Sequence, residues 1–444
     1  MKNRRGLSFH FRLAISVPFS FLSVLFLQSF TFAQSLIATE NPDTQNLFFA
    51  HSSIDSLCSP RMHGRGYVSS GDRIAANFIA GQFLKLGLKP LPNSFSGPNS
   101  SAGPNSASSA YFQTFSFPIN TFPTPIHIRI GGNELIPGKD FLVRADCPSI
   151  KGQFAIADST DYLSTKISTK KFYLLKNQKE NSSRPAGLLF IRKKLTWDAS
   201  VQTGPYCTID ILDSALSKIP SFTDKKVTIA VDIKNRFIKD HQTQNVIGYV
   251  CGTQHPDSFM VFTAHYDHLG QMGSTAYFPG ANDNASGCAM LLCLARYYSV
   301  HPPTCSVVFM AFAGEEAGLL GSRYFVEHPL IELGRIKFLI NLDLIGTGDE
   351  GICVVNATVF KTEFDLLKKL NDTKAYFSFI KPRGKARISD HFFFTESGVK
   401  SFYIYTLGGI KAYHDIYDRP ETLPLTKFTE AFKLLRDFTD VLSN

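Results

Sequence analysis

In the C-terminal half of this chain, histidines and carboxylates follow one apolar run after another. His265 and Asp267 close Phe262-Thr-Ala-His-Tyr-Asp, Glu315 and Glu316 follow Phe309-Met-Ala-Phe-Ala-Gly, and Asp343 closes Leu339-Ile-Asn-Leu-Asp. His414 comes in the segment after the apolar run at 401–406, and Asp283 lies in the polar loop Pro279-Gly-Ala-Asn-Asp-Asn-Ala-Ser-Gly. Singly, a His-x-Asp is ordinarily a hydrogen-bonded pair, a Glu-Glu a solvated helix start, and an Asp after a strand a turn cap. Their recurrence in order at strand ends makes coincidence a poor explanation. Carboxylates converging on one edge repel one another unless a cation compensates them. Imidazole nitrogens and carboxylate oxygens suit zinc or a similar divalent ion. One His and one carboxylate per ion, with a further carboxylate bridging, would leave two open sites sharing a water of lowered pKa. Adjacent residues on a turn point in different directions, so one of Glu315 and Glu316 can bind metal while the other meets that water.

Such a cluster needs a scaffold that gathers strand ends. The pattern from residue 245 onward alternates candidate strands (245–250, 258–264, 306–313, 336–342, 352–356, 401–406) with candidate helices (286–299, 316–327, 361–371, 390–396, 427–442). This predicts an α/β fold with a central mixed, largely parallel sheet and helices on both faces. Ligands of open α/β sheets bind beyond the carboxyl ends of the strands, which is where these residues fall. Upstream, 69–87 reads as a helix with Ile74, Phe78, Ile79 and Phe83 on one face, and 96–109 as a surface loop of turn residues. Residues 120–240 read as short strands (124–130, 186–191 and 226–233 among them) without a catalytic motif.

An apolar fraction of 44% is that of a globular chain and excludes wholesale disorder as well as a collagen-like or coiled-coil rod. The net charge of +9 is misleading. Residues 1–33 carry Lys2, Arg4, Arg5 and Arg12 and no acid, so the remainder holds only +5, too little and too evenly spread for a nucleic-acid partner. That cationic start, the apolar run 13–27 and the small residues around Ala33 predict an export signal at 1–33, giving a periplasmic or extracellular protein. Pro18 and several serines argue against a permanent membrane span. Of the eight cysteines, Cys288, Cys293, Cys305 and Cys353 lie in apolar runs and are expected as buried thiols.

The motifs His265-Tyr-Asp-His-Leu-Gly, Gly280-Ala-Asn-Asp-Asn-Ala-Ser-Gly, Ala313-Gly-Glu-Glu-Ala-Gly-Leu-Leu-Gly-Ser, Asn341-Leu-Asp and Tyr413-His resemble those of the co-catalytic (di-zinc) metallo-aminopeptidase family. That family also contains glutamate carboxypeptidase, glutaminyl cyclases and the non-catalytic transferrin receptors. The resemblance covers about residues 245–420 and implies a zinc-exopeptidase type of fold with two zinc ions. Asp283 would bridge, His265 and Asp343 would hold one ion, and Glu316 and His414 the other. Glu315 would be the general base, and Asp267 would support His265. The implied organisation is 1–33 signal, 34–120 N-terminal part of the catalytic domain, 121–240 a β-rich insert in the place of a protease-associated domain, and 241–444 the catalytic core. The implied activity is removal of N-terminal residues from peptides that have a free amino terminus. A single-zinc glutaminyl cyclase, a carboxypeptidase using Arg383, Lys385 and Arg387 to hold a terminal carboxylate, and a binding protein on an inactive scaffold are the alternatives.

Overall fold

In a computed structural model of the chain, the structure describes residues 41–91, 107–157, 162, 167–175, 184–217, 219 and 227–444. The export signal and most of the loop at 96–109 lie outside the described residues. The chain divides into two compact units, Met1–Phe48 and Phe49–Asn444. The described part of the first is the opening of the helix Pro42–Leu57; the sheets all lie in the second.

Among the described residues, the larger sheet has nine strands. Eight run in the order Lys89–Pro90, Arg236–Val250, Cys305–Phe312, His255–His265, Ile336–Leu342, Ser401–Leu407, Gly351–Val355 and Ile380–Pro382, and Phe112–Thr121 pairs alongside Arg236–Val250. The four central strands, Cys305–Phe312 through Ser401–Leu407, are mutually parallel, whereas Arg236–Val250 is antiparallel to Cys305–Phe312 and Gly351–Val355 is antiparallel to Ser401–Leu407 but parallel to Ile380–Pro382. Cys305–Phe312 is buried along its whole length, which is why it reads as a continuous apolar run rather than an alternating one. On one face Phe262 stacks on Tyr298 of the helix Gly287–Val300, and Phe338 meets Phe438 of the helix Phe428–Ser443. On the other, Phe312 packs against Phe325 of Leu320–Glu327 and Phe394 of His391–Glu396. Helices on both faces are thus present, as the alternating pattern implied.

The parallel register fixes the site. His265 pairs with Phe312, so the Glu pair begins three residues beyond it, and Thr263 pairs with Asn341, so Asp343 lies level with His265. One sequence expectation fails. The helix expected from residue 316 begins at Leu320. Gly314 (φ +70°) and Leu319 (φ +62°) take left-handed conformations, and Gly318 and Leu319 donate back to the Glu315 carbonyl. The Glu pair therefore sits on a tight turn and not in the first turn of a helix.

Among the described residues, a second, eight-stranded sheet is built from strands between His127 and Ile233. Ile128, Phe141, Ile209 and Ile229 form its own apolar core, which extends to Trp197, Met272 and Phe278. Trp197 stacks on Phe278 with ring centroids 4.8 Å apart, joining this layer to the segment just before the Asp283 loop.

Candidate active site

The side chains singled out by sequence meet at the carboxyl edge of the central strands. Asp283 stands between two groups: its Oδ1 is 3.3 Å from Nε2 of His265 and its Oδ2 is 3.2 Å from Nε2 of His414. On the first side, Asp343 Oδ1 is 3.5 Å from the same His265 nitrogen; on the second, Glu316 Oε2 is 3.2 Å from the same His414 nitrogen. Ligand atoms of His265, Asp283 and Glu316 lie within 4.8 Å of one another, and so do those of His265, Glu315 and Asp343. Arg383, Lys385 and Arg387 are engaged elsewhere: Arg383 donates to the Tyr405 hydroxyl, Lys385 pairs with Glu396, and Arg387 lies over Phe392 and Phe393.

Each side chain is held from behind. His265 Nδ1 is 3.1 Å from the Asp267 carbonyl, so that nitrogen carries the proton and Nε2 faces the carboxylates. The Asp267 carboxylate, expected to support His265, has its Oδ1 3.8 Å from His265 Nδ1 and also holds the Glu turn: the backbone N–H groups of Glu315 and Glu316 donate to it at 3.2 and 3.3 Å, and the Tyr67 hydroxyl at 2.6 Å. Asp343 accepts from Ser389, which accepts from Asn341, which in turn accepts from Thr263. Asp418 accepts the N–H groups of Asn282 and Asp283 at 2.8 and 2.9 Å. Tyr67, His268, Ser389 and Asp418 were not singled out from sequence. Only His268, inside the His265 motif, carried a signal that could have been followed, and its Nδ1 lies 2.6 Å from Glu316 Oε1.

The electrostatics separate the adjacent glutamates. Burial pushes Glu315 well above the usual carboxylate range, with Glu316, Asp390 and Asp343 adding to the rise against the opposing pull of His265. Glu316 is equally buried, but His414 and hydrogen bonds from His268 and His414 hold it down at about 2. Burial lowers both His265 and His414, and the surrounding carboxylates more than offset this, raising each above the ordinary histidine range. Two Nε2 atoms aimed at carboxylate oxygens require positive charge between them, either a proton on each ring or metal ions. The donor set, imidazole nitrogen and carboxylate oxygen with proton-fixing partners behind, fits zinc.

The site is thus a carboxylate–imidazole cluster at the carboxyl edge of a mixed α/β sheet with helices on both faces, the type of fold that the motifs implied. Residues 245–439 match the family model of Peptidase family M28, the family that the motifs resemble. Aminopeptidase YwaD of Bacillus subtilis is 40% identical over 121 residues, which are 27% of this chain and 25% of that protein. The alignment therefore spans about a quarter of that curated relative's length. Among solved structures, a zinc aminopeptidase from Bacillus subtilis superposes with a TM-score of 0.65 at 19% identity, over 88% of this chain and 93% of that one. A Peptidase M28 precursor from Shewanella amazonensis gives 0.67 at 14% identity, over 89% and 93%. At such identities these superpositions speak for the fold.

Proposed function

We propose that the protein is an exported zinc-dependent aminopeptidase, with His265 and Asp343 holding one ion, Glu316 and His414 a second, and Asp283 shared between them. The observation that carries this reading is Asp283, which offers one carboxylate oxygen to each half of the site. When bound, a zinc pair lowers the pKa of the attacking water and polarises the scissile carbonyl. Glu315, part-buried and raised in pKa, takes the proton from that water and delivers it to the departing amine. Asp267 fixes the turn that aims Glu315. Among the described residues, no helix is long and apolar enough to cross a membrane.

Purified protein is expected to hold about two zinc equivalents, and chelation should abolish activity until zinc is restored. Elemental analysis finding one tightly held ion, unaffected by His265→Ala, would favour the cyclase. The carboxylates that surround the site favour a cationic α-ammonium over a terminal carboxylate. One peptide supplied free, N-acetylated and C-amidated separates the readings. Acetylation should abolish cleavage and amidation leave it nearly unchanged. The reverse pattern would make the protein a carboxypeptidase, and loss of ammonia from an N-terminal glutamine without a cut would make it a cyclase.

A further inference from the structure

The loop bearing His414 is gripped by a short segment of the second sheet layer. The N–H of Trp197 donates to the His414 carbonyl at 2.8 Å. The Lys194 ammonium donates to the carbonyls of Lys411 and Tyr413 at 2.9 and 3.3 Å and lies 3.2 Å from Asp415 Oδ2. Asp198 Oδ1 stands 3.3 Å from His414 Nδ1. The carbonyls of Lys411, Tyr413 and His414 thus all accept from one five-residue stretch, 194–198.

The grip acts on a strained residue. His414 has φ +52°, a left-handed conformation that a non-glycine residue keeps only when its surroundings over-determine it. Trp197 supplies a rigid anchor: its ring is buried, stacked on Phe278, and its indole N–H donates to the Val143 carbonyl at 2.6 Å. Asp198 acts on the ring itself. A carboxylate at Nδ1 keeps the proton on that nitrogen, which leaves the Nε2 lone pair for the site and raises its basicity.

We propose that Asp198, carried on the anchored stretch 194–198, is a positioning residue for His414, so that the strand-rich layer between residues 121 and 240 completes one half of the metal site. This rests on the reading of His414 as a metal ligand. It also gives that layer a task in the chemistry beyond covering it.

The test is zinc affinity of the full chain, read by elemental analysis and by competition with a chelator of known strength. Asp198→Ala should weaken one of the bound ions by about 10–100-fold and leave the other unchanged. Asp198→Asn, which keeps an acceptor oxygen but loses the charge, should fall between Asp198→Ala and the parent protein. Asp198 is 79% exposed, so thermal unfolding of the metal-free protein should be unaffected, which separates positioning from a loss of fold. His414→Ala is the control and should remove one ion outright. If His414→Ala does so while Asp198→Ala holds both ions as tightly as the parent, the positioning role is wrong. If His414→Ala itself retains two tightly bound ions, the ligand assignment beneath it is wrong.

Discussion

Glu315→Gln should keep its full complement of zinc and lose turnover by about 10²–10⁴-fold, the range associated with removing a general base. The substitution preserves the shape of the side chain and the backbone N–H that donates to Asp267, so the turn should stay in place. What disappears is the proton acceptor. Glu316→Gln, one residue away, should behave differently. Its carboxylate lies 3.2 Å from His414 Nε2 and 2.6 Å from His268 Nδ1, and it is held ionised at about 2. Neutralising it removes a charged ligand, so zinc itself should be lost from that half of the site. Adjacent carboxylates whose surroundings drive their pKa values apart mark a division of labour between them. The contrast is read by zinc content and single-turnover rate on both variants. Equal zinc loss in the two, or an undiminished rate in Glu315→Gln, would overturn the roles. The pH profile supplies a second readout. A base must be deprotonated to act, and Glu315 is raised, so activity should fall as pH drops through a limb lying above the ordinary glutamate value of about 4.3.

The parts of this site that can be read from sequence are those whose signal is local. An apolar run ending in His265 or Asp343 announces a strand and its terminal side chain together, and parallel pairing then aligns those ends without further information. The supporting residues lack such a signal because their partners are far away in the chain. Tyr67 meets Asp267 across 200 positions, and Asp198 meets His414 across 216. The Glu turn shows the same limit on a smaller scale. Its glutamates and the apolar face after them fit a helix from residue 316, whereas the Glu315 and Glu316 N–H groups are taken by the distant Asp267 carboxylate and the helix begins only at Leu320.

Arg65 is the largest of these silent contributions, and Arg65→Met is expected to destabilise the folded protein by about 4 kcal/mol or more. The side chain is fully buried. Its Nε donates to the Tyr266 carbonyl at 2.8 Å, one terminal nitrogen to Leu57 and Pro279 at 3.1 and 2.6 Å, and the other to Gly280 and Asp283 at 2.7 and 3.3 Å. All the donors of a guanidinium are thereby used on backbone carbonyls. Gly64 lets this happen. Its φ is +62°, and a Cβ there would run into the Gly270 and Phe278 backbone, so the chain can pass close enough for Arg65 to enter. Tyr266 lies between His265 and Asp267, and Gly280 and Asp283 frame the shared carboxylate. One side chain therefore ties both ligand-bearing loops to the N-terminal part of the unit. Methionine fills a similar volume but leaves those carbonyls buried without donors, at roughly 1–3 kcal/mol each before relaxation. Denaturant unfolding of zinc-loaded protein gives the stability change, and zinc titration gives the accompanying loss of affinity. Should Arg65→Met fail to accumulate, Arg65→Lys provides the graded case. It keeps the charge with fewer donors in a different geometry, and it should unfold at lower denaturant than the parent while still binding zinc. Stability of Arg65→Met within about 1 kcal/mol of the parent would mean that water or relaxed backbone satisfies those carbonyls, and that the loops hold themselves.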